Sequence, residues 1–584
     1  MQKILDENYY DFIIDNFLAP AYNTGDNITL LNDTHSLLHI SKSVMGVCDL
    51  GLTPYYAFPS VYTLTSYVSE EESSDQTAKH DINYNLLGQC TLVGIIDTGI
   101  DYQHPAFRNE DGSTRIFSIW DQTDQSSTPP EGFTFGSEYS RQQINAALLS
   151  NDALFLVPTS DTDGHGTAIA SIISGSIHSD NSFSGIVPYS ELVVVKLKQA
   201  KQNLKNIFFI PEDKLCFQES DIILGIRYLI AIAKKMARPL VICLAMGSNH
   251  GSHDGQGVMS EYLENLVRLS GINVSIAAGD EGNRNRHYFE RVNSIPYGAA
   301  FQLNVGDDKF AMEIWPSVPG RPSIEIISPN QMTTGRIEPS FEECIKFSYG
   351  QSSVWVNNII FEEETGDQLI LIRFENPEPG IWSFQLESTE GQPFYLHSWL
   401  PSGNLISDNT YFLNASPDVT ITNPGNSYST LTVSAYDQFD DTILEQSGRG
   451  YTSDGLVKPD VAAPGYQIPC AITGNLYGTM TGTGAAAAYA AGGIAMVMEW
   501  TLCKGNYTRL TGKQINRMIV RGARRSSSYF YPNNVWGYGQ LDVNEIISRL
   551  IKILKFSSEL PQDIFSPDHT SSIKKETVTV TAPV

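Results

Sequence analysis

Basic residues are scarce in this chain: 38 lysines and arginines stand against 65 aspartates and glutamates, a net charge of −27 over 584 residues. That excess disfavours nucleic acid and anionic membrane as partners, because their phosphates repel it. Cysteine is scarce as well. The seven (Cys48, Cys90, Cys216, Cys243, Cys344, Cys470 and Cys503) are scattered, odd in number and without a CxxC pair. This argues against a disulfide framework or a zinc site and suits a reducing compartment. No secretory signal is expected, since Met1-Gln-Lys-Ile-Leu-Asp-Glu-Asn turns acidic at once. Long apolar runs are missing too. Ile222–Met246 is broken by Arg227, Lys234, Lys235 and Arg238, and Ala485–Trp500 is short and built of small residues, so no membrane span is expected. No internal repeat or low-complexity tract stands out.

What is present can build cores. Hydrophobic residues make up 41% of the chain, which excludes general disorder, and the length calls for more than one domain. Residues 1–85 carry short extended candidates at Tyr9–Phe17, Ser36–Ile40 and Tyr55–Leu64, followed by a charged, Ser-rich linker at Glu70–Gln76. From about residue 298 to 415 the pattern is all-β: Glu313–Trp315, Ile324–Ile327, Ser353–Ile360, Gln368–Phe374, Gly380–Leu386 and Phe394–Leu400 are short alternating strands between Gly- and Pro-rich turns. That spacing predicts an inserted sandwich or jelly roll. The organisation expected is 1–85, 86–297, 298–415, 416–555 and a Ser/Thr/Pro-rich tail at 556–584.

Three stretches carry chemistry. Thr91-Leu-Val-Gly-Ile-Ile-Asp97 is an apolar run of strand length that ends in a carboxylate, the place where α/β folds put reactive groups. Asp163-Gly-His165-Gly-Thr-Ala-Ile-Ala opens a small-residue helix with His165 in its first turn. Gly478-Thr-Met-Thr-Gly-Thr-Gly484 leads into an Ala-rich helix. A strand-end Asp also caps turns, and a lone His is more often structural, so neither motif decides anything alone. In this order, however, the three resemble the Asp…His…Ser layout of the subtilisin-like serine proteases (peptidase S8). The resemblance implies an α/β parallel-sheet domain with an N-terminal α/β prodomain (1–85) and the jelly roll inserted.

Against that pattern, Gly484 stands where the nucleophilic serine belongs, and Asp280, in Ala277-Ala-Gly-Asp280-Glu-Gly-Asn283, stands where an asparagine donates to the oxyanion. Glycine offers no nucleophile, and an ionised carboxylate only accepts hydrogen bonds. Thr481 and Thr483 lie around the turn from His165. Ala245-Met246 replaces the usual Ser-Leu of the cleft strand.

Phe117-Ser-Ile-Trp-Asp-Gln-Thr123, Glu219-Ser-Asp-Ile-Ile, Gly251-Ser-His-Asp-Gly, Arg286-His-Tyr and Ile421-Thr-Asn-Pro-Gly resemble the clostridial Csp germination subtilases in particular. That group contains active members, which process the zymogen of a cortex-degrading hydrolase, and pseudoproteases. The resemblance with the two departures implies a chain that is not an enzyme, a pseudoprotease regulating spore germination upstream of the cortex hydrolase. It implies protein partners (an active paralogue, a sister pseudoprotease or the zymogen), the prodomain retained in the cleft, and mother-cell cytosolic synthesis followed by incorporation into spore layers. A weak peptidase, and a jelly roll binding a germinant or glycan, are the alternatives. No cofactor is expected. His250 and His253 are i,i+3 in a Gly-rich loop, a turn rather than a metal site, and no EF-hand pattern occurs.

Overall fold

The computed structural model describes residues 2–22, 27–44, 53–70, 85–177, 183–293, 297–341, 343–388 and 391–559. The expected linker lies outside them except for its first residue, Glu70, and so does the tail beyond 559.

The apolar runs become strands buried on both faces. In Leu92–Asp97 and its neighbours, alternate residues point to opposite sides. Val93 and Ile95 join Leu192, Val194, Val241 and Cys243 in one core, while Leu92 and Ile96 join Val193, Val195, Leu240 and Ile242 in another. Both faces must therefore be covered by helices, as in parallel sheets generally. His165–Ser174 and Thr483–Met498 pack on the first face, Glu219–Met236 and Val258–Val267 on the second.

The sheet has nine strands. Its order runs Thr442–Ile443, Leu431–Asp437, Ile272–Ala277, Leu240–Leu244, Leu92–Asp97, Glu191–Lys196, Ile116–Asp121, Ser137–Ser140, with Val461–Pro464 beside Leu431–Asp437. The pairings are parallel except at the two ends. Asp97 thus sits at the C-terminal edge of a central strand. Thr483–Met498 runs through the core and is buried almost throughout. By length and composition Thr483–Cys503 would suffice to cross a membrane, yet 83% of its apolar window is buried inside the protein.

A second body of antiparallel strands lies between Gly298 and Phe412, in sheets of six and four strands; the six-stranded one takes its edge strand from His287–Val292. Phe301, Ile314, Ile372, Trp382, Phe384 and Leu396 fill the space between them. The N-terminal part is a three-stranded antiparallel sheet, Tyr9–Asp15, Ile28–Leu30 and His35–Ser41, with one short helix at Ala19–Tyr22. It packs on the rest through Asp11, which accepts hydrogen bonds from Lys201 (2.9 Å) and Gln218 (3.2 Å) and is also bonded to His39 (2.7 Å) of its own sheet.

The scattered cysteines argue against a disulfide framework. The fold instead joins Cys90 to Cys503, pinning the start of the Leu92 strand to the end of the core helix. Residues so far apart in sequence are adjacent only through the tertiary packing, which spacing does not show.

Candidate active site

Asp97 and His165 are brought together by the sheet edge and the helix beside it. His165 Nδ1 donates to Asp97 Oδ1 at 2.8 Å. Two local devices set this geometry. Asp161, which the motifs did not single out, accepts from Gly164 N (2.9 Å) and from Thr167 N and Oγ1 (2.8 and 2.7 Å), so it caps the helix that carries His165. At Gly166 any Cβ would lie 2.3 Å from Gly99 O, so only glycine lets the helix approach the Asp97 strand.

The third position lies at the start of the core helix. Gly484 follows Gly482 and Thr483 there and presents no side chain to His165. The two neighbouring threonine hydroxyls on this segment are engaged elsewhere: Thr483 Oγ1 accepts from Gly279 N, and Thr481 Oγ1 accepts from Gln467 N. Asp280 faces the same helix end, where Oδ1 accepts from Thr483 N at 2.9 Å. A carboxylate at a helix N-terminus meets unpaired N–H groups and the positive end of the dipole. Asp280 therefore sets a carboxyl group against the start of this helix.

The cleft between these groups is filled by the chain itself. Val61–Leu64 lies antiparallel to two short strands, Phe217–Gln218 and Met246–Gly247. Thr65 N donates to Ala245 O at 3.1 Å. His165 Nε2 donates to Thr65 O at 2.8 Å. Ser66 N donates to Asp280 Oδ2 at 2.6 Å, and Ser66 Oγ accepts from Ala485 N. Beyond, Tyr67–Ser69 pairs with the strand Leu476–Thr481. An open cavity of about 1150 Å³ flanks this segment, lined among others by Lys214, Arg284, Asn404 and Asp408.

The charges follow from these contacts. Burial works against a charged His165, but the Asp97 carboxylate, the hydrogen bond to it and the Thr65 carbonyl outweigh burial and hold the ring at about 9. Burial pushes the Asp280 carboxyl above its usual range, against the N–H groups of Thr483 and Ser66. His250 and His253 do not converge on a common point. His253 stacks on Trp399 with its nitrogens toward the carbonyls of Ile421 and Asn249, and His250 packs on Phe208.

An Asp–His pair at the edge of a parallel sheet, beside a glycine-flanked helix start and a peptide-lined cleft, defines a subtilisin-like serine protease fold. The family model described as the subtilase family matches residues 88–306 and 402–539, and the chain belongs to that family. The break between the two stretches falls in the antiparallel body. A particular likeness is to the solved CspB protease of Clostridium perfringens, 28% identical with a TM-score of 0.71 over 80% of this chain and 96% of that one; it supports the Csp group of subtilases. The chain is 30% identical over 155 residues to the subtilisin-like protease SBT2.2 of Arabidopsis thaliana (24% of this chain, 18% of that protein). It is 25% identical over 246 residues to the major intracellular serine protease of Bacillus subtilis (42% and 59%). The first curated relatives are thus matched over about a fifth of their length.

One expectation is corrected. The sequence was read as that of a chain that is not an enzyme, but its family is one of peptidases and the CspB structure is named a protease. Two positions, Gly484 and Asp280, do not decide the class, which rests on the whole sheet-and-helix frame. That frame keeps the Asp97–His165 pair in bonding contact.

Proposed function

We propose that this subtilase acts in bacterial spore germination, upstream of cortex-hydrolase activation, through protein partners: an active Csp paralogue, a sister member of the group, or the hydrolase zymogen. It is made in the mother-cell cytosol and carried into the spore layers, with its N-terminal part still attached and lying in the cleft. One observation carries the reading. Residues 61–69 thread the cleft on both sides of His165, so other proteins meet this chain on faces outside it.

Mixing the purified full-length chain with purified zymogen and with the active paralogue tests this, alongside germination of spores lacking the gene. A complex with a Kd in the micromolar range or tighter is expected, together with slowed cortex hydrolysis in the mutant spores. No complex and unchanged germination would overturn it.

A second reading, peptide turnover in the cleft, is favoured by the Asp97–His165 bond. Its nucleophile has to come from somewhere other than position 484. Peptidase activity that disappears in His165→Ala would establish it, and activity unchanged in that variant would point to a contaminant.

A further inference from the structure

We propose that the outward face of the helix Gly512–Gly522 is the docking surface for an acidic segment of a protein partner. The inference deepens the reading above, on which it rests, by naming where a partner meets this chain and what charge it brings.

The chain as a whole carries −27, yet residues 500–541 contain seven lysines and arginines and no aspartate or glutamate. The helix in the middle of this stretch turns Ile515, Ile519 and Gly522 inward. At 3.6 residues per turn Lys513, Arg517 and Arg521, spaced four apart, fall on the opposite side. Arg517 and Arg521 are exposed and Lys513 is half-buried. Like charges at this spacing repel and weaken a helix. The negative end of the helix dipole offsets this for Arg521, and Arg525 Nη2 donates to Val520 O at 2.8 Å. Neither effect reaches Lys513 in the first turn or Arg517 in the middle. Among the described residues no carboxylate pairs with these four, whereas Arg524 and Arg549 close by have Asp441 (3.2 Å) and Glu545 (2.6 Å). Even the first turn stays free of acid, since Gln514 closes the capping box with Thr511.

The stripe spans roughly 12 Å from Lys513 to Arg521. A DNA duplex or a membrane is wider, and would rest on the acidic remainder of the surface. A short acidic segment of a protein meets the stripe without that repulsion. Aromatic rings favour a protein as well. Lys513 Nζ lies over the ring of Tyr428, 5.3 Å from its centre, and the loop after Arg525 exposes Phe530 (96%). Arginine beside exposed aromatic rings is the composition of a protein-binding patch. The position suits a second surface. Gly512 N donates to Leu269 O at 3.3 Å, beside the start of the strand Ile272–Ala277. Asp97 stands at the C-terminal end of its parallel strand, so this helix begins at the opposite end of the sheet from the cleft. A partner docked there leaves residues 61–69 in place.

Titrating the full-length chain, and its Lys513→Glu/Arg517→Glu/Arg521→Glu variant, against labelled poly-L-glutamate tests the face. Wild type is expected to bind, less tightly as salt rises, and the variant to bind about tenfold or more weakly, because like charges then oppose the probe. Equal binding by the two, or none by wild type, overturns the proposal. So does tighter binding of duplex DNA or phosphatidylglycerol vesicles than of poly-L-glutamate, or self-association of wild type that the variant loses. Should the variant lose hydrogen-exchange protection at Leu92–Asp97, Arg517→Ala/Arg521→Ala reads the same face by loss of charge, and unchanged binding in it overturns the proposal. The same proteins are then mixed with the zymogen and the active paralogue. A complex that weakens about tenfold in the variant supports the face. A complex of equal strength in both overturns the face and leaves the germination reading standing. No complex with wild type overturns that reading, while poly-L-glutamate still scores the face.

Discussion

His165 faces an acceptor at each ring nitrogen, Asp97 on one side and Thr65 O on the other. Only the doubly protonated ring has two hydrogens to give, which is the form its raised pKa of about 9 favours. The consequence for stability has a definite sign. A group raised in the folded state contributes stability fully present below its ordinary value of 6.5 and lost as pH rises through about 9. The size is on the order of 3 kcal/mol. Denaturant midpoints measured from pH 7.5 to 10, above the range of Glu313, should fall in wild type and stay level in His165→Gln; a level wild-type profile would show a neutral ring. At this scale the sequence was partly legible. Asp97, His165, Asp280 and Gly484 each sit in a short motif, so their places could be read. Thr65 and Ser66 could not, because the cleft holds them mainly by backbone bonds, which leave no side-chain pattern. Asp161 acts through its carboxylate, but in a polar loop between Ser160 and Thr162 one acidic residue forms no pattern.

Among the elements, the core helix Thr483–Met498 shows how little space a buried helix can leave. Gly492 faces Ile186, and a Cβ on it would lie 2.6 Å from Ile186 Cβ. On an open helix Gly→Ala stabilises by up to about 1 kcal/mol. Here crowding reverses the sign, and Gly492→Ala should cost about 1–3 kcal/mol as an overpacked core position. A denaturant midpoint that rises in this variant would show that the helix and the Ile186 loop part freely. Elements were legible wherever period and length agreed. Alternation gave the strands around Leu369–Glu375 and Gly380–Ser388 to within a residue or two. Tyr55–Leu64 read as one strand, but Pro59 cannot donate to a ladder; it separates a turn at Tyr55–Ala57 from the strand Val61–Leu64. The bond between Cys90 and Cys503 had no local signature at all.

On the scale of the molecule, three parts of the chain meet at one buried carboxyl. Glu313, from the antiparallel body, accepts from Tyr55 O–H (2.5 Å) of the N-terminal part and from Gly251 N (2.9 Å) of the sheet-bearing part, and also from its neighbour Trp315 Nε1 (3.1 Å). Burial raises it from 4.5 to about 7, against those three bonds. The stability it contributes is therefore present below pH 4.5 and lost as pH rises through about 7, again on the order of 3 kcal/mol. Thermal midpoints from pH 4.5 to 8 should decline in wild type and lose that slope in Glu313→Gln, while the decline above pH 7 that His165 causes persists. A slope unaffected by Glu313→Gln would move the titrating group elsewhere. No sequence pattern marks such a junction, because its members lie on separate parts that only the assembled fold brings together.

The threaded cleft also has a consequence in time. Tyr67–Ser69 leaves the ribosome long before its pairing partner Leu476–Thr481, with Ser69 finally opposite Thr479. Contacts this far apart along a chain form slowly, since the long intervening loop must close first. Until that partner is made the stretch is an exposed, β-prone strand without its final neighbour, the kind of segment that draws aggregation or a chaperone. Its docking therefore waits for Leu476–Thr481 and closes two parts distant in sequence onto each other.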